Sequence, residues 1–148
     1  MIRVLFICHG SICRSPMAEF IMKELVRRAG REEEFRICSK AVSTEELGNG
    51  LYPPARSELE RRGIPYGKHC SEQLSRSDYD KYDLFVVMDR SNLRQAECIF
   101  GGDPDSKLNK LMAYAGEDRD VSDPWYSRRF DIAFDDIMRG CKALLETL

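Results

Sequence analysis

Cys8 is followed six positions later by Arg14, and Ser15-Pro16 then opens an amphipathic segment. The nine residues Cys8-His9-Gly10-Ser11-Ile12-Cys13-Arg14-Ser15-Pro16 come directly after a short apolar run, Val4-Leu5-Phe6-Ile7. A sulfur nucleophile, a glycine-containing loop and an arginine at the mouth of a helix are the parts of an oxyanion site. Pro16 suits the first helical position, where its missing N–H leaves no bond unmade. The helix start offers free N–H groups and a partial positive charge, which favours a bound oxyanion and a thiolate at Cys8. Arg14 presents a planar fork that matches two oxygens of a phosphate.

The chemistry that fits is phosphate-ester cleavage. Non-bridging oxygens would sit on the loop amides of His9, Gly10, Ser11, Ile12 and Cys13 and on Arg14. Cys8 would attack phosphorus in line to give a phosphocysteine that water hydrolyses. Ser15 is placed to hydrogen-bond the sulfur as it leaves in the second step. Cys13, a second thiol in the same loop, is either a packed small residue or a disulfide partner that protects Cys8 from over-oxidation. His9 is expected to point outward toward substrate, whereas His69 reads as a structural histidine in a loop. A leaving phenolate or alkoxide needs a proton. Among the acidic residues, Asp123-Pro124-Trp125-Tyr126 stands out, because Pro124 stiffens a loop beside two aromatic side chains. By residue type alone the commoner fate of such a tetrapeptide is an Asp-Pro turn whose aromatics pack on the core.

These residues need a scaffold. Ile2 to Ile7 predicts a buried strand. Ala18, Ile21, Met22, Leu25 and Ala29 mark one face of a helix from Met17 to Gly30. Phe35 to Val42 predicts a second strand, Pro53 to Glu60 a short helix, and Leu84 to Met88 a third strand. A helix follows from about Arg90 to Cys98, and Lys107 to Tyr114 is the weakest strand. Phe130, Phe134, Ile137, Cys141, Leu144 and Leu148 fall on one face of a long terminal helix. Strands alternating with helices imply βαβ units and a parallel sheet, whose ligands bind beyond the carboxyl ends of the strands. The Cys8 loop leaves the first strand at that end.

The 148 residues suit one domain spanning 1–148, with no repeat or linker. Apolar residues make up 43% and charged residues 32%, as in ordinary globular proteins. A net charge of −2, from 23 basic and 25 acidic residues, gives no polyelectrolyte footprint for nucleic acid. Nothing resembles a membrane span or a signal peptide. Six cysteines lack paired spacing and two histidines form no ligand cluster, so reduced thiols in a cytoplasm are expected, with no metal or cofactor.

Together the Cys8–Pro16 loop, Met88-Asp89-Arg90-Ser91-Asn92-Leu93 and Asp123-Pro124-Trp125-Tyr126 resemble the low-molecular-weight protein tyrosine phosphatases over essentially the whole chain. The resemblance implies an α/β domain: a four-stranded parallel sheet flanked by helices on both faces, with the phosphate loop between the first strand and first helix. It implies metal-independent hydrolysis of phosphotyrosine in a protein partner, with Asp123 as general acid and Trp125 and Tyr126 as an aromatic wall. A monomer is expected. Two positions depart from the family. Ser11 stands where asparagine is usual, and asparagine there is held by a histidine and a serine, which His69 and Ser43 match; serine tolerates the left-handed conformation less well and should leave a less rigid loop. Glu45 stands where an aromatic often lines the pocket rim, and its carboxylate would repel acidic sequences flanking the phosphotyrosine. Arsenate reduction, catalysed by relatives sharing this loop and fold, needs two further relay cysteines. One of them follows the third strand in that group, where this chain has Asp89 and its nearest thiol is Cys98.

Overall fold

A computed structural model describes residues 1–148. Four parallel strands, β1 (Ile2–Cys8), β2 (Phe35–Ala41), β3 (Leu84–Val87) and β4 (Leu108–Lys110), form one sheet in the order β2-β1-β3-β4. The helices are α1 (Arg14–Arg28), α2 (Pro53–Arg61), α3 (Arg90–Phe100), α4 (Leu111–Tyr114), α5 (Pro124–Ser127) and α6 (Phe130–Glu146). Two short 3-10 turns span Glu32–Glu34 and Arg76–Asp80.

β1 and β3 are buried on both sides, which is why they read as continuous apolar runs rather than alternating ones. Val4 and Phe6 of β1 and Val86 of β3 face a core shared with α1, α2, α4 and α6. Leu5 and Ile7, with Phe85 and Val87, face the opposite core with Tyr79, Tyr82, Ala96 and Phe100. The helices therefore cover both faces, as the βαβ pattern requires.

The chain steps from β1 outward to β2, then crosses back to β3 on the other side of β1. The carboxyl ends of β1 and β3 thus flank the point where strand order reverses, the crevice in which such sheets bind ligands. The register Ile7↔Val87 brings the Cys8 loop level with Met88 and Asp89.

Two boundaries differ from the sequence expectations. The first helix begins at Arg14, so Pro16 is its third residue rather than its first. The cost is nil, because every N–H of the first turn lacks an intrahelical partner. Lys107 to Tyr114 is strand only over Leu108–Lys110 and then turns into α4. Leu108, Leu111 and Met112 are spaced i, i+3, i+4, a helical rather than an alternating pattern. Leu111 and Met112 are buried where α4 meets α6, and Gly140 lets them approach: a Cβ there would overlap Leu111 Cγ and lie 2.9 Å from its Cδ1.

Candidate active site

The loop from Cys8 to Arg14 wraps around a pocket of about 120 Å³, lined by Cys8, His9, Gly10, Ile12, Cys13, Arg14, Glu45, Glu46, Asp123, Trp125 and Tyr126. The N–H groups of Gly10, Ile12, Cys13, Arg14 and Ser15 have no partner within the protein, while that of Ser11 points at the Cys8 sulfur from 3.2 Å. This turn is tight enough to force Ser11 into the left-handed region, at φ 53°. The Ser15 hydroxyl lies 3.2 Å from Cys8 Sγ and 3.0 Å from Ser11 Oγ.

Three neighbours hold the loop by its carbonyls. His69 Nε2 meets the Ser11 carbonyl at 2.5 Å and Ser11 Oγ at 3.5 Å. Ser71 donates to the Gly10 carbonyl at 2.7 Å, and Ser43 donates to that of His9 at 3.0 Å. The expected pairing of Ser43 with residue 11 is therefore not made: Ser43 supports the loop two residues earlier, and Ser71, which no sequence signal marked, braces it between. All three tethers act on backbone oxygens, which survive any change of side chain in the loop.

Arg14 is buried, and its guanidinium is held from behind. Nη1 donates to Asp89 Oδ2 and to the Val121 carbonyl, both at 2.8 Å, and Nη2 lies 3.5 Å from Asp123 Oδ2. Burial opposes the charge, but Cys8, Asp89 and Asp123 outweigh it and push the guanidinium pKa up. Asp89 belongs to one of the motifs singled out in the sequence, yet its role as the anchor of Arg14 was not. Its other oxygen caps α3 by accepting the Asn92 N–H at 2.7 Å, and the Asn92 side chain returns the bond to the Asp89 N–H at 3.2 Å.

Asp123 caps α5, accepting the Trp125 N–H at 3.0 Å, and its second oxygen faces Arg14 across the pocket. Val121 fixes this loop to the sheet: its N–H donates to the Met88 carbonyl at 2.9 Å while its carbonyl receives Arg14. Residues from opposite ends of the chain are thereby held in one pocket.

The rim is uneven. Trp125 is 44% exposed and leans on Tyr52, ring centroids 5.0 Å apart, whereas Tyr126 is 82% exposed. Arg128 backs this wall, donating to the Tyr52 hydroxyl at 3.2 Å. On the other side, His9 points outward as expected, but its ring contacts Glu45 at 2.9 Å. Glu46, unremarked in the sequence, joins Glu45 in the lining. Burial and the neighbouring Cys8 push the Cys13 thiol up to about 12, so it is a neutral thiol at physiological pH. No group of three or more His, Cys, Asp or Glu side chains converges in a way that would hold a metal ion. No helix is long and apolar enough to cross a membrane.

Residues 3–148 match the family described as low molecular weight phosphotyrosine protein phosphatase. The chain belongs to that family. It is 33% identical to the low molecular weight protein-tyrosine-phosphatase YfkJ of Bacillus subtilis, with 100% of this chain and 96% of that protein aligned. It is 34% identical to the low molecular weight phosphotyrosine protein phosphatase of Gallus gallus, over 97% of this chain and 93% of that one. The crystal structure of YfkJ superposes with a TM-score of 0.95 at 34% identity, covering 99% of this chain and 94% of YfkJ. SP-PTP, a low molecular weight protein tyrosine phosphatase of Streptococcus pyogenes, superposes with a TM-score of 0.90 at 34% identity, covering 100% and 93%. The fold of this chain is thus that of the low-molecular-weight phosphatases.

Proposed function

We propose that the protein hydrolyses phosphotyrosine in protein substrates, and small aryl phosphates, through a phosphocysteine at Cys8. The observation that carries this reading is the convergence of Cys8, Arg14 and Asp123 on one small pocket whose loop N–H groups are unpaired. Those donors and the Arg14 fork bind the non-bridging oxygens of the phosphate. The Cys8 sulfur forms a bond to phosphorus as the bond to the leaving oxygen breaks, and Asp123 passes its proton to that oxygen. In the second step the Asp123 carboxylate takes a proton from water, the water oxygen bonds to phosphorus, and the sulfur leaves as a thiolate that accepts a bond from Ser15. Trp125, backed by Tyr52, stacks beside the aryl ring. Glu45 and Glu46 disfavour acidic residues next to the phosphotyrosine, although His9 offsets part of the Glu45 charge when protonated.

Nothing at the site favours arsenate reduction. Cys8 and Cys13 are the only thiols in the pocket lining, and Cys98 lies exposed on α3 outside it.

The deciding experiment is p-nitrophenyl phosphate hydrolysis across pH 5 to 8 with excess EDTA. Cys8→Ser should abolish turnover, and Asp123→Ala should lower it by about 10²–10⁴-fold. An inactive wild type with reduced thiols, or a fully active Cys8→Ser, refutes the mechanism.

A further inference from the structure

β2 is an edge strand, and its outer side is only partly used. Ala41 donates its N–H to the Glu72 carbonyl at 2.8 Å and accepts the Leu74 N–H at 2.7 Å, so the segment after His69 adds one parallel bridge there. Toward the start of β2 that segment leaves the edge, because Ser71 turns aside to bond Asn49 and Gly48 instead. Ile37 and Ser39 lie four and two residues before Ala41. The alternation of a strand therefore aims their N–H and C=O groups at the same outer side. None of these four backbone groups has a partner in the protein. Open ladder groups of this kind are a template for another strand.

A groove of about 400 Å³ runs along this stretch. Glu19 and Lys23 of α1 line one wall, and Asp78, Lys81 and Tyr82 line the other. Most of its negative charge is consumed internally. Glu19 accepts Ser39 Oγ on one oxygen and Lys23 Nζ on the other, both at 2.6 Å. Asp78 is buried, takes Lys40 Nζ at 3.0 Å and accepts the Ser75 N–H at 2.9 Å. Glu72 stands at the far end, 3.9 Å from Lys40. Arg36 and Lys81 are exposed, and neither takes part in an ion pair. The groove thus presents two free cations beside an unpaired backbone.

We propose that this edge docks an extended acidic segment of a partner protein, which adds a fifth strand to the sheet beside Ile37 and Ser39. Main-chain hydrogen bonds hold the segment, and carboxylates at alternate positions meet Arg36 and Lys81. Cations on an edge ordinarily keep strands from pairing. Here they do so selectively. An apolar strand would cover charges it cannot pair, and a second copy of this chain would bring the same cations against them. An acidic strand meets neither cost. The groove shares no lining residue with the Cys8 pocket, so the proposal stands independently of the phosphatase reading.

The probe is a fluorescein-labelled peptide of alternating glutamate and valine, free of phosphate, titrated with the full-length protein at low salt. Binding should raise the anisotropy and slow amide hydrogen exchange at Ile37 and Ser39. Replacing the glutamates by lysines should abolish it. Arg36→Glu and Lys81→Glu should each weaken binding about tenfold, with p-nitrophenyl phosphate turnover as in wild type. No binding up to about 1 mM peptide overturns the proposal, as does an affinity unchanged by both charge reversals. Binding that leaves exchange at Ile37 and Ser39 as fast as before is ionic adhesion without strand addition, and also refutes it. Saturating inorganic phosphate should not displace the peptide; displacement would put the peptide in the Cys8 pocket and overturn the docking site. Any of these failures with p-nitrophenyl phosphate turnover intact removes the docking edge and leaves the phosphatase reading standing.

Discussion

Asp89 does two separate jobs with its two oxygens, and substitution can pull them apart. Oδ1 accepts the Asn92 N–H that caps α3, and Oδ2 accepts Nη1 of Arg14. The Arg14 side chain is 3% exposed and that of Asp89 19%, so neither is screened as a surface pair would be. A hydrogen bond to a charged group contributes about 1.5–3 kcal/mol. Arg14 keeps the Val121 carbonyl and Asp123, which places the loss near 2 kcal/mol, toward the middle of that range. In Asp89→Asn the new carboxamide has one oxygen where two are needed. If that oxygen keeps the cap, at which asparagine equals aspartate, the amide NH₂ faces a guanidinium donor. Asp89→Asn should therefore cost about 2 kcal/mol, all of it at Arg14. Asp89→Ala also loses the cap, for about 1 kcal/mol more. Urea midpoints at constant m read this difference directly. A displaced Arg14 fork should also lower kcat/KM for p-nitrophenyl phosphate by about 10²-fold in both variants. Equal stabilities for the two variants, or an Asp89→Asn protein as stable and active as wild type, would refute the division of labour.

Two further expectations test the scaffold. Gly140→Ala should lower stability by about 1–3 kcal/mol despite better helix propensity, because the new Cβ overlaps the Leu111 side chain. Adding Leu111→Ala should recover part of that loss, whereas a melting temperature raised by Gly140→Ala alone would mean that α4 yields freely. In α1, Glu24 is pulled down to about 2, chiefly by the Arg27 hydrogen bond and also by Arg28. Its folded value lies below its unfolded one, so this contribution is present above the ordinary carboxylate range and disappears as pH falls toward 2. Comparing wild type with Glu24→Gln between about pH 6 and 2, the stability gap should close on acidification. A gap independent of pH would assign the effect to packing.

The loop around Cys8 was legible because its parts are consecutive: thiol, glycine, arginine and helix-opening proline all signal within nine residues. The outward His9 was legible for the same local reason, whereas residue type alone would have packed Trp125 on the core, and it is 44% exposed. What escaped was support from a distance. Val121 acts through its backbone carbonyl, and Ser71 acts on one; a carbonyl has no residue type to recognise. Asp89 stood in a recognised motif without a role assigned to it, and nothing in its spacing reveals that one of its oxygens reaches Arg14. That contact exists because β1 and β3 are neighbours at the reversal of strand order, a property of the whole sheet. The failed expectation for Ser43 is of the same kind: the right residue braces the loop, but which carbonyl it meets depends on how the segment after β2 lies. The strand over Lys107 to Tyr114 was misjudged for length, since its helical spacing only makes sense once α6 supplies the surface that Leu111 and Met112 cover.

Val121 has a consequence for how this enzyme can be altered. Its peptide is bolted at both ends, to the Met88 carbonyl and to Arg14, just upstream of Asp123. Downstream, Phe130 is buried at the start of α6. The stretch between them is a replaceable cassette with rigid sockets on either side. Exchanging residues 125–129 for those of a relative should transplant the character of the rim while the spacing between Cys8 and Asp123 stays where the sheet put it. The aromatic side of the rim is thus modular, while the placement of Cys8, Arg14 and Asp123 is not.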